Sequence, residues 1–574
     1  MDKHAAARLL ETIASYQELK GENPFKVRAF ANAARTVDGF PGDLAAALAS
    51  GELAATKGIG PATLEVVREY AAGGRSTLLE ALRREVPDGL LEMLKISGLG
   101  VTKIRTLHEQ LRISTVAELE LAARNGRLAA LPRFGEKTAE KILRGIEFLR
   151  RTSAFRLSHD AARAAARLRE SLAALPGLER VEVAGSVRRR AEVSRDLDFA
   201  VAARAGAAGP GDRLATLPSV VEAEAAGDAA FRLRLDDGTT ADVYVSSPER
   251  FGHCLAWATG SAAHLDQLAA RAASAGLVLG VEGLARGGDP VPCPDEAAFY
   301  AAMGLAWIPP ELREGGDEVD RAAAGTLPRL LERDDLRGLL HCHSVYSDGA
   351  NTIAELAEAG RAAGYRYLGL TDHSAAAAYA GGLREDAVAR QHAEIDELNR
   401  GSSDFRVLKG IEADILADGA LDYGPDLLDR FDFVIASVHS RMEQDRATMT
   451  ARVLRALDDP HLTILGHPTG RLLLGREGYP LDLDAVIARA AERGVAIEIN
   501  ADPQRLDLDW RRCRQARDAG VAIAIGVDAH SLEGFDNAEF GVGVARRAWL
   551  EARDVVNTLD APGFVARARA RRKP

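Results

Sequence analysis

Apolar residues recur at intervals of three and four through the first 150 residues, with Glu and Arg between them, and short glycine-containing turns break the pattern. This is the signature of packed amphipathic helices. One turn repeats: Lys57-Gly58-Ile59-Gly60, then Ser97-Gly98-Leu99-Gly100, then a looser Arg133-Phe134-Gly135-Glu136-Lys137, each followed by a helical run. Residues 151–175 read as one more amphipathic helix. The period then shortens to two, and Val181–Ala184, Leu197–Val201 and Ala241–Val245 read as strands. Helix returns over 251–276, and the charged stretch Gly315–Arg337 reads as a linker. Beyond Gly338, the runs Tyr367–Thr371, Phe433–Val438, Thr463–Gly466, Ala496–Asn500 and Ala522–Val527 alternate with helical segments. That alternation predicts a β/α domain of the barrel kind.

The helix–glycine–helix corners carry a first chemical hint. Glycines at 58, 60, 98 and 100 let a backbone approach closely, and the N–H groups opening the next helix can hold a phosphate. A contact of that kind positions DNA without reading its sequence. One such corner is as easily a plain bundle turn; repetition is what gives it weight.

Residues 184–201 read AGSVRRRAEVSRDLDFAV. Gly185-Ser186 follows a strand and can open a phosphate-binding turn, with Arg188, Arg189 and Arg190 beside it. Asp196 and Asp198 lie two apart on a strand, so both carboxylates face one side, and Asp242 on a later strand can join them. Three converging carboxylates suit a pair of Mg²⁺ or Mn²⁺ ions clamping the oxygens of a phosphoryl transfer. A lone D-x-D is more often a solvated strand face; the Gly-Ser upstream and the third aspartate downstream tip the balance.

Six of the 13 histidines sit in metal-like contexts after residue 340. His341 and His343 form H-x-H, followed by Asp348; then come His373, Glu412, His439, His467, and the pair Asp528 and His530. Nearly all fall at the C-terminal ends of predicted strands, the face of a β/α barrel where active sites lie. Imidazoles and carboxylates without thiolates suit Zn²⁺, Mn²⁺ or iron and not Ca²⁺.

Composition changes this picture little. The net charge of −11 argues against nucleic acid as a partner, yet residues 1–150 hold 22 Lys/Arg against 19 Asp/Glu, so the acidic excess lies where carboxylates are candidate ligands. The four cysteines form no C-x-x-C pair, which excludes a Cys-type zinc site and a disulfide framework. No apolar run is long enough for a membrane span and no signal-peptide pattern opens the chain, so no membrane partner and a cytoplasmic location are expected.

On these motifs the first 330 or so residues resemble family X DNA polymerases. The likeness includes Ala258-Thr259-Gly260-Ser261, which matches that family's nucleotide-binding helix region, and Met303–Arg313, which is similar to the end of its thumb. The resemblance implies Asp196, Asp198 and Asp242 as metal ligands. It implies Gly185, Ser186, Arg189, Gly260 and Ser261 as contacts to an incoming dNTP. The chain departs from the family pattern at Trp257-Ala258, Leu265, Arg195 and Thr240, all near nucleotide positioning. Where some members carry a Schiff-base lysine, this chain has Val66, with Ala62 one turn earlier, so little deoxyribose-phosphate lyase activity is expected.

Residues 335–574 resemble the PHP (polymerase and histidinol phosphatase) domain, which implies up to three metals. His341, His343, Glu412 and Asp528 would hold one; Glu412, His439 and His467 a second; Asp348, His373 and His530 a third. Arg441 is a candidate phosphate contact and equally a surface residue, and the basic run Arg567–Lys573 reads as a solvated helix end.

The expected architecture is multidomain. A helical DNA-binding domain over 1–80 and helix-hairpin-helix fingers over 81–150 precede an α+β nucleotidyltransferase palm over 151–245 and a thumb over 246–315. A linker over 316–337 leads to a distorted β/α barrel over 338–574. The implied enzyme is a monomer that fills short gaps in primer-template DNA during repair. Its barrel trims 3′ ends as an exonuclease or 3′-phosphodiesterase, with cutting at abasic sites a further possibility. The alternatives are a nuclease whose front half only holds DNA, and a small-molecule phosphatase.

Overall fold

The computed structural model describes residues 3–572 apart from 41, 97, 130, 133, 205–210 and 228. Ser97, Arg133 and Lys573 of the motifs above lie outside the described residues. The chain divides into two compact units, Met1–Ala154 and Phe155–Pro574.

The first unit is helical, and one core runs through it from Ala6 to Leu149, across the expected division at residue 80. Each repeated turn has the same construction. The second glycine, Gly60 or Gly100, is the N-cap of the next helix, Pro61–Gly73 or Val101–Leu111. The first glycine, Gly58 or Gly98, sits at φ 99° or 88°, a conformation that side chains resist. A Cβ at Gly58 would also stand 2.6 Å from the Thr36 hydroxyl. Gly135 caps Glu136–Thr152 in the same way. Val66 is a buried core residue, so its position offers no amine to solvent.

In the second unit, a five-stranded sheet runs in the order Leu178–Val183, Leu197–Ala203, Thr240–Ser246, Ala230–Leu235, Val220–Ala225. Leu197–Ala203 and Thr240–Ser246 are parallel, and the other pairings are antiparallel. Strand alternation sorts the strand Leu197–Ala203 by face. Leu197, Phe199 and Val201 pack on the helix Ser158–Ala173, while Ala200 and Ala202 pack on the helix Phe251–Thr259. Asp198 therefore shares the second face.

The thumb core gathers Phe299, Tyr300, Met303 and Ile308. Residues 316–337 depart from a linker. They carry the helix Glu318–Ala324, whose Val319 and Ala322 join that core with Leu330. The charged composition misleads because Glu318 is wholly buried, 2.8 Å from His264 Nδ1.

The barrel sheet is parallel throughout, and its two end strands in pairing order are Arg406–Lys409 and Glu412–Asp414. These are successive pieces of one chain segment. The first pairs with Tyr367–Leu370, the second with Ile435–Ser437. Glu412 also exchanges backbone bonds with Asp372 and Ser374, so the sheet curls back on itself. The C-terminal basic run is solvated only in part: Arg567 and Arg569 are exposed, while Arg571 and Arg572 are half-buried. Arg571 donates to the carbonyls of Leu457 and Arg493, each the last residue of a helix, where the helix dipole favours a cation. No helix among the described residues is long and apolar enough to cross a membrane.

Candidate active sites of the palm and the barrel

The palm centre is built by register. Asp198 and Asp242 are direct partners on the two parallel strands, and Asp196 precedes the first of them by one residue. Gly185, at φ 57°, lies so close behind that a Cβ there would fall 1.8 Å from Asp198 Oδ2. Burial, then the charges of Asp196 and Asp242, push the Asp198 carboxyl up to about 7. A bound divalent cation would relieve that repulsion. Arg232, across the antiparallel pair, holds Asp242 through two bonds of 2.8 Å. The triad is looser than the barrel clusters: its three carboxylates do not bring oxygens within 4.8 Å of one another among the described residues.

The other residues expected at the nucleotide are present but engaged. Ser186 Oγ donates to Ser194 at 2.9 Å. Arg189 donates to the Thr259 carbonyl at 2.7 Å and to Glu314 at 3.0 Å. Gly260 ends the helix Phe251–Thr259, and the Ser261 hydroxyl caps the next helix by accepting from His264 N–H. Of the departures, Leu265 packs on the thumb core, Trp257 lies against His253, and Arg195 is exposed.

No motif marks Glu296, which fastens thumb to palm. It accepts from Arg188, from the fully buried Arg313 and from the Trp307 indole.

In the barrel, all nine expected ligands converge. Donor atoms lie within 4.8 Å of one another in three groups: His343, Asp348, His373 and His530; His341, His343 and Asp528; His373, Glu412 and His439. His467 Nε2 is 3.0 Å from Glu412 Oε1. The grouping differs from the expected sets in two respects. His343 serves both the Asp348 and the Asp528 groups, and His373 reaches Glu412 at 3.0 Å. Cys342, between the paired histidines, points into the apolar core, as strand alternation requires.

These donors fit bound cations. His341 Nε2, both nitrogens of His343, His467 Nδ1 and Glu412 Oε2 are buried without hydrogen-bond partners, an arrangement that costs free energy unless something ligates them. His341, His467 and Asp528 also hold positive φ angles of 64°, 21° and 50°, conformations that persist where a site over-determines them. Burial presses His343 down to about 4. Burial opposes a charge on His439 as well, but Glu412 and Asp414 outweigh it and hold that ring up to about 10.

An outer layer orients the ligands. Glu498, wholly buried, stands 2.5 Å from His341 Nδ1 and accepts from the His467 N–H. Asp414 lies 2.7 Å from His439 Nδ1, and Asn500 donates to Asp528. Such partners fix ring orientation and ligand basicity. Two of them had a visible signal: Asp414 is two residues from Glu412 on a strand, and Glu498 interrupts an apolar strand. The palm also reaches this layer. Glu192 accepts from Arg471 at 2.7 Å, Arg471 donates to the carbonyls of Arg505 and Leu506, and Arg505 Nε is 3.6 Å from Asp528.

Against known proteins, the helix-hairpin-helix domain family matches residues 1–76 and the SAM-like helix-hairpin-helix tandem residues 90–147. The DNA polymerase beta thumb matches 254–314 and the PHP domain 340–502. The DNA polymerase/3′-5′ exonuclease PolX of Bacillus subtilis (strain 168) is 38% identical over 563 residues, 97% of each chain. The chain belongs to the PolX family. A probable phosphatase of Shewanella sp. (strain MR-4) is 32% identical over 212 residues, 34% of this chain and 79% of its own. A probable phosphatase of Clostridium acetobutylicum is 29% identical over 213 residues, 35% of this chain and 82% of its own. The PHP match ends at residue 502, so Asp528 and His530, which stand among the other barrel donors, lie beyond it.

Proposed function

We propose that the chain is a DNA polymerase that fills short gaps during repair and carries in its barrel a metal-dependent 3′-5′ exonuclease. The observation that supports this reading is two separate clusters of candidate metal donors on one chain, the carboxylates Asp196, Asp198 and Asp242 in the palm and the imidazoles and carboxylates gathered in the barrel. Asp196, Asp198 and Asp242 would hold Mg²⁺ or Mn²⁺. The barrel donors would hold up to three ions of zinc, manganese or iron. Bound there, the ions supply charge neutralisation at the scissile phosphate and activate water.

The protein's own groups do the rest. The corners at Gly58-Gly60 and Gly98-Gly100 hold the DNA backbone. Ser186 turns from Ser194 towards the dNTP triphosphate, and Arg189 exchanges Thr259 and Glu314 for it, beside Gly260 and Ser261. Glu498 and Asp414 keep His341 and His439 in ligating orientation. The chain acts as a monomer.

A second reading, in which the front half only holds DNA, is favoured by the Arg232 clamp on Asp242. One assay separates the two: a one-nucleotide-gapped, 5′-labelled primer-template with Mn²⁺, with and without dNTPs. Under the proposal, Asp198→Ala abolishes extension and spares trimming, while His341→Ala does the reverse. Wild-type protein that trims but never extends would sink the polymerase half.

A further inference from the structure

Three large apolar side chains that stand in water follow barrel donors closely in the chain. Val345 follows His343 by two residues, Leu532 follows His530 by two, and Tyr379 follows His373 by six. Their exposures are 51%, 38% and 74%. The nearby tyrosines 365 and 367 are almost wholly buried, so the exposure of Tyr379 is not a habit of this part of the chain.

Tyr379 lies on the short turn Ala378–Ala380, in a run of alanines that imposes no bulk around it. Its ring centre is 6.2 Å from that of His373 and 6.5 Å from that of His439. The same loop abuts the one that leaves His343: a Cβ on Gly381 would lie 3.4 Å from the Ser347 carbonyl. The ring is thus the outermost neighbour of two ligands, with most of its surface uncovered.

A phosphate needs none of this. Its charge would be met by cations held in the cluster and by Arg505 beside Asp528. A flat uncovered aromatic one residue's reach from a phosphate site suits a planar ring attached to that phosphate, which is a nucleobase. Every base offers such a face, so the contact tolerates any sequence.

We propose that Tyr379 is the platform on which the terminal nucleobase of the degraded strand stacks, with Val345 and Leu532 forming the apolar rim. The proposal rests on the exonuclease reading above and gives that activity a preference for ends that carry a base. The phenol hydroxyl is not needed for it.

The test compares a single-stranded oligonucleotide ending in a normal 3′ nucleotide with one ending in a tetrahydrofuran residue, which has no base. The full-length protein is used in three forms: wild type, Tyr379→Ala and Tyr379→Phe. Wild type is expected to favour the normal end through KM, and Tyr379→Ala to raise that KM about ten- to a hundredfold with little change in kcat. The gap between the two ends then closes, and Tyr379→Phe restores it. Equal KM for wild type and Tyr379→Ala on the normal end overturns the proposal. So does an equal loss on both ends, which would place Tyr379 at the phosphate.

Were wild type to degrade neither end, the exonuclease reading would fail by itself. The platform would then be judged by an oligonucleotide with 3′-terminal 2-aminopurine, whose emission changes on stacking. A change with wild type that is absent with Tyr379→Ala supports it, and identical spectra overturn it.

Discussion

Replacing Glu296 by glutamine removes the charge that two inward-facing guanidinium groups share. Its carboxylate accepts from Arg188, Arg313 and the Trp307 indole at 2.6–3.0 Å. Burial works against the charged form, but the two arginines outweigh it and hold the carboxyl at about 2. Against its ordinary 4.5, that displacement corresponds to about 3 kcal/mol of stability at neutral pH. The figure agrees with the roughly 3–5 kcal/mol lost when one partner of a buried pair is removed.

The lowered value fixes the pH dependence. The contribution is complete above 4.5, declines as pH falls, and is gone below about 2. At pH 7 the urea transition reported by Trp307 fluorescence should move down by roughly 1–3 M, for slopes of about 1–3 kcal/mol/M. The gap between wild type and variant should narrow at pH 3. A variant whose midpoint at pH 7 matches wild type within about 0.3 M would refute the reasoning, because the buried charge would then contribute nothing.

Three further outcomes follow from the two centres. Gly185→Ala places a Cβ 1.8 Å from Asp198 Oδ2 and should lower primer extension by on the order of a hundredfold while trimming continues; normal extension would show that this close approach is dispensable. Glu192→Ala releases Arg471, which holds the carbonyls before Asp507, and should slow exonuclease turnover roughly tenfold, an effect that unchanged turnover would exclude. Because burial and then its two neighbours raise Asp198 to about 7, protons compete with metal below that value. The Mg²⁺ needed for extension should therefore rise as pH falls from 8 to 6, and equal requirements at both would count against the shift.

What could be read from the sequence divides along the distance of the contact. Gly185, Asp196 and Asp198 lie within fourteen residues, and strand alternation alone puts the two aspartates on one side. The nine barrel candidates were legible for a similar reason. Most stand at or just beyond the C-terminal end of a strand, and parallel strands in a barrel bring those ends together whatever the intervening helices do; Glu412, which opens its strand, and Asp348, in the turn after Cys342, are the exceptions. The strands Val220–Ala225 and Ala230–Leu235 also alternate, as VVEAEA and AFRLRL, but the first is the sheet edge, the second is its neighbour, and both are half exposed, where the apolar signal is weakest.

Glu296, Glu314 and Glu192 belong to the other class. As lone charged residues in polar stretches they look like solvated surface, and 108 residues separate Glu296 from Arg188, 279 separate Glu192 from Arg471. Their role exists only after palm, thumb and barrel have packed. The same packing explains why the nucleotide-side residues are occupied: Arg189 and the barrel's Arg547 both donate to Glu314 Oε1, so the arginine expected at the triphosphate is held by the thumb and shares its partner with the nuclease domain. Drawing Arg189 to a nucleotide leaves Glu314 to Arg547 alone. The palm–barrel junction and the nucleotide turn thus compete for one carboxylate, a constraint that no motif records because it depends on which surfaces meet.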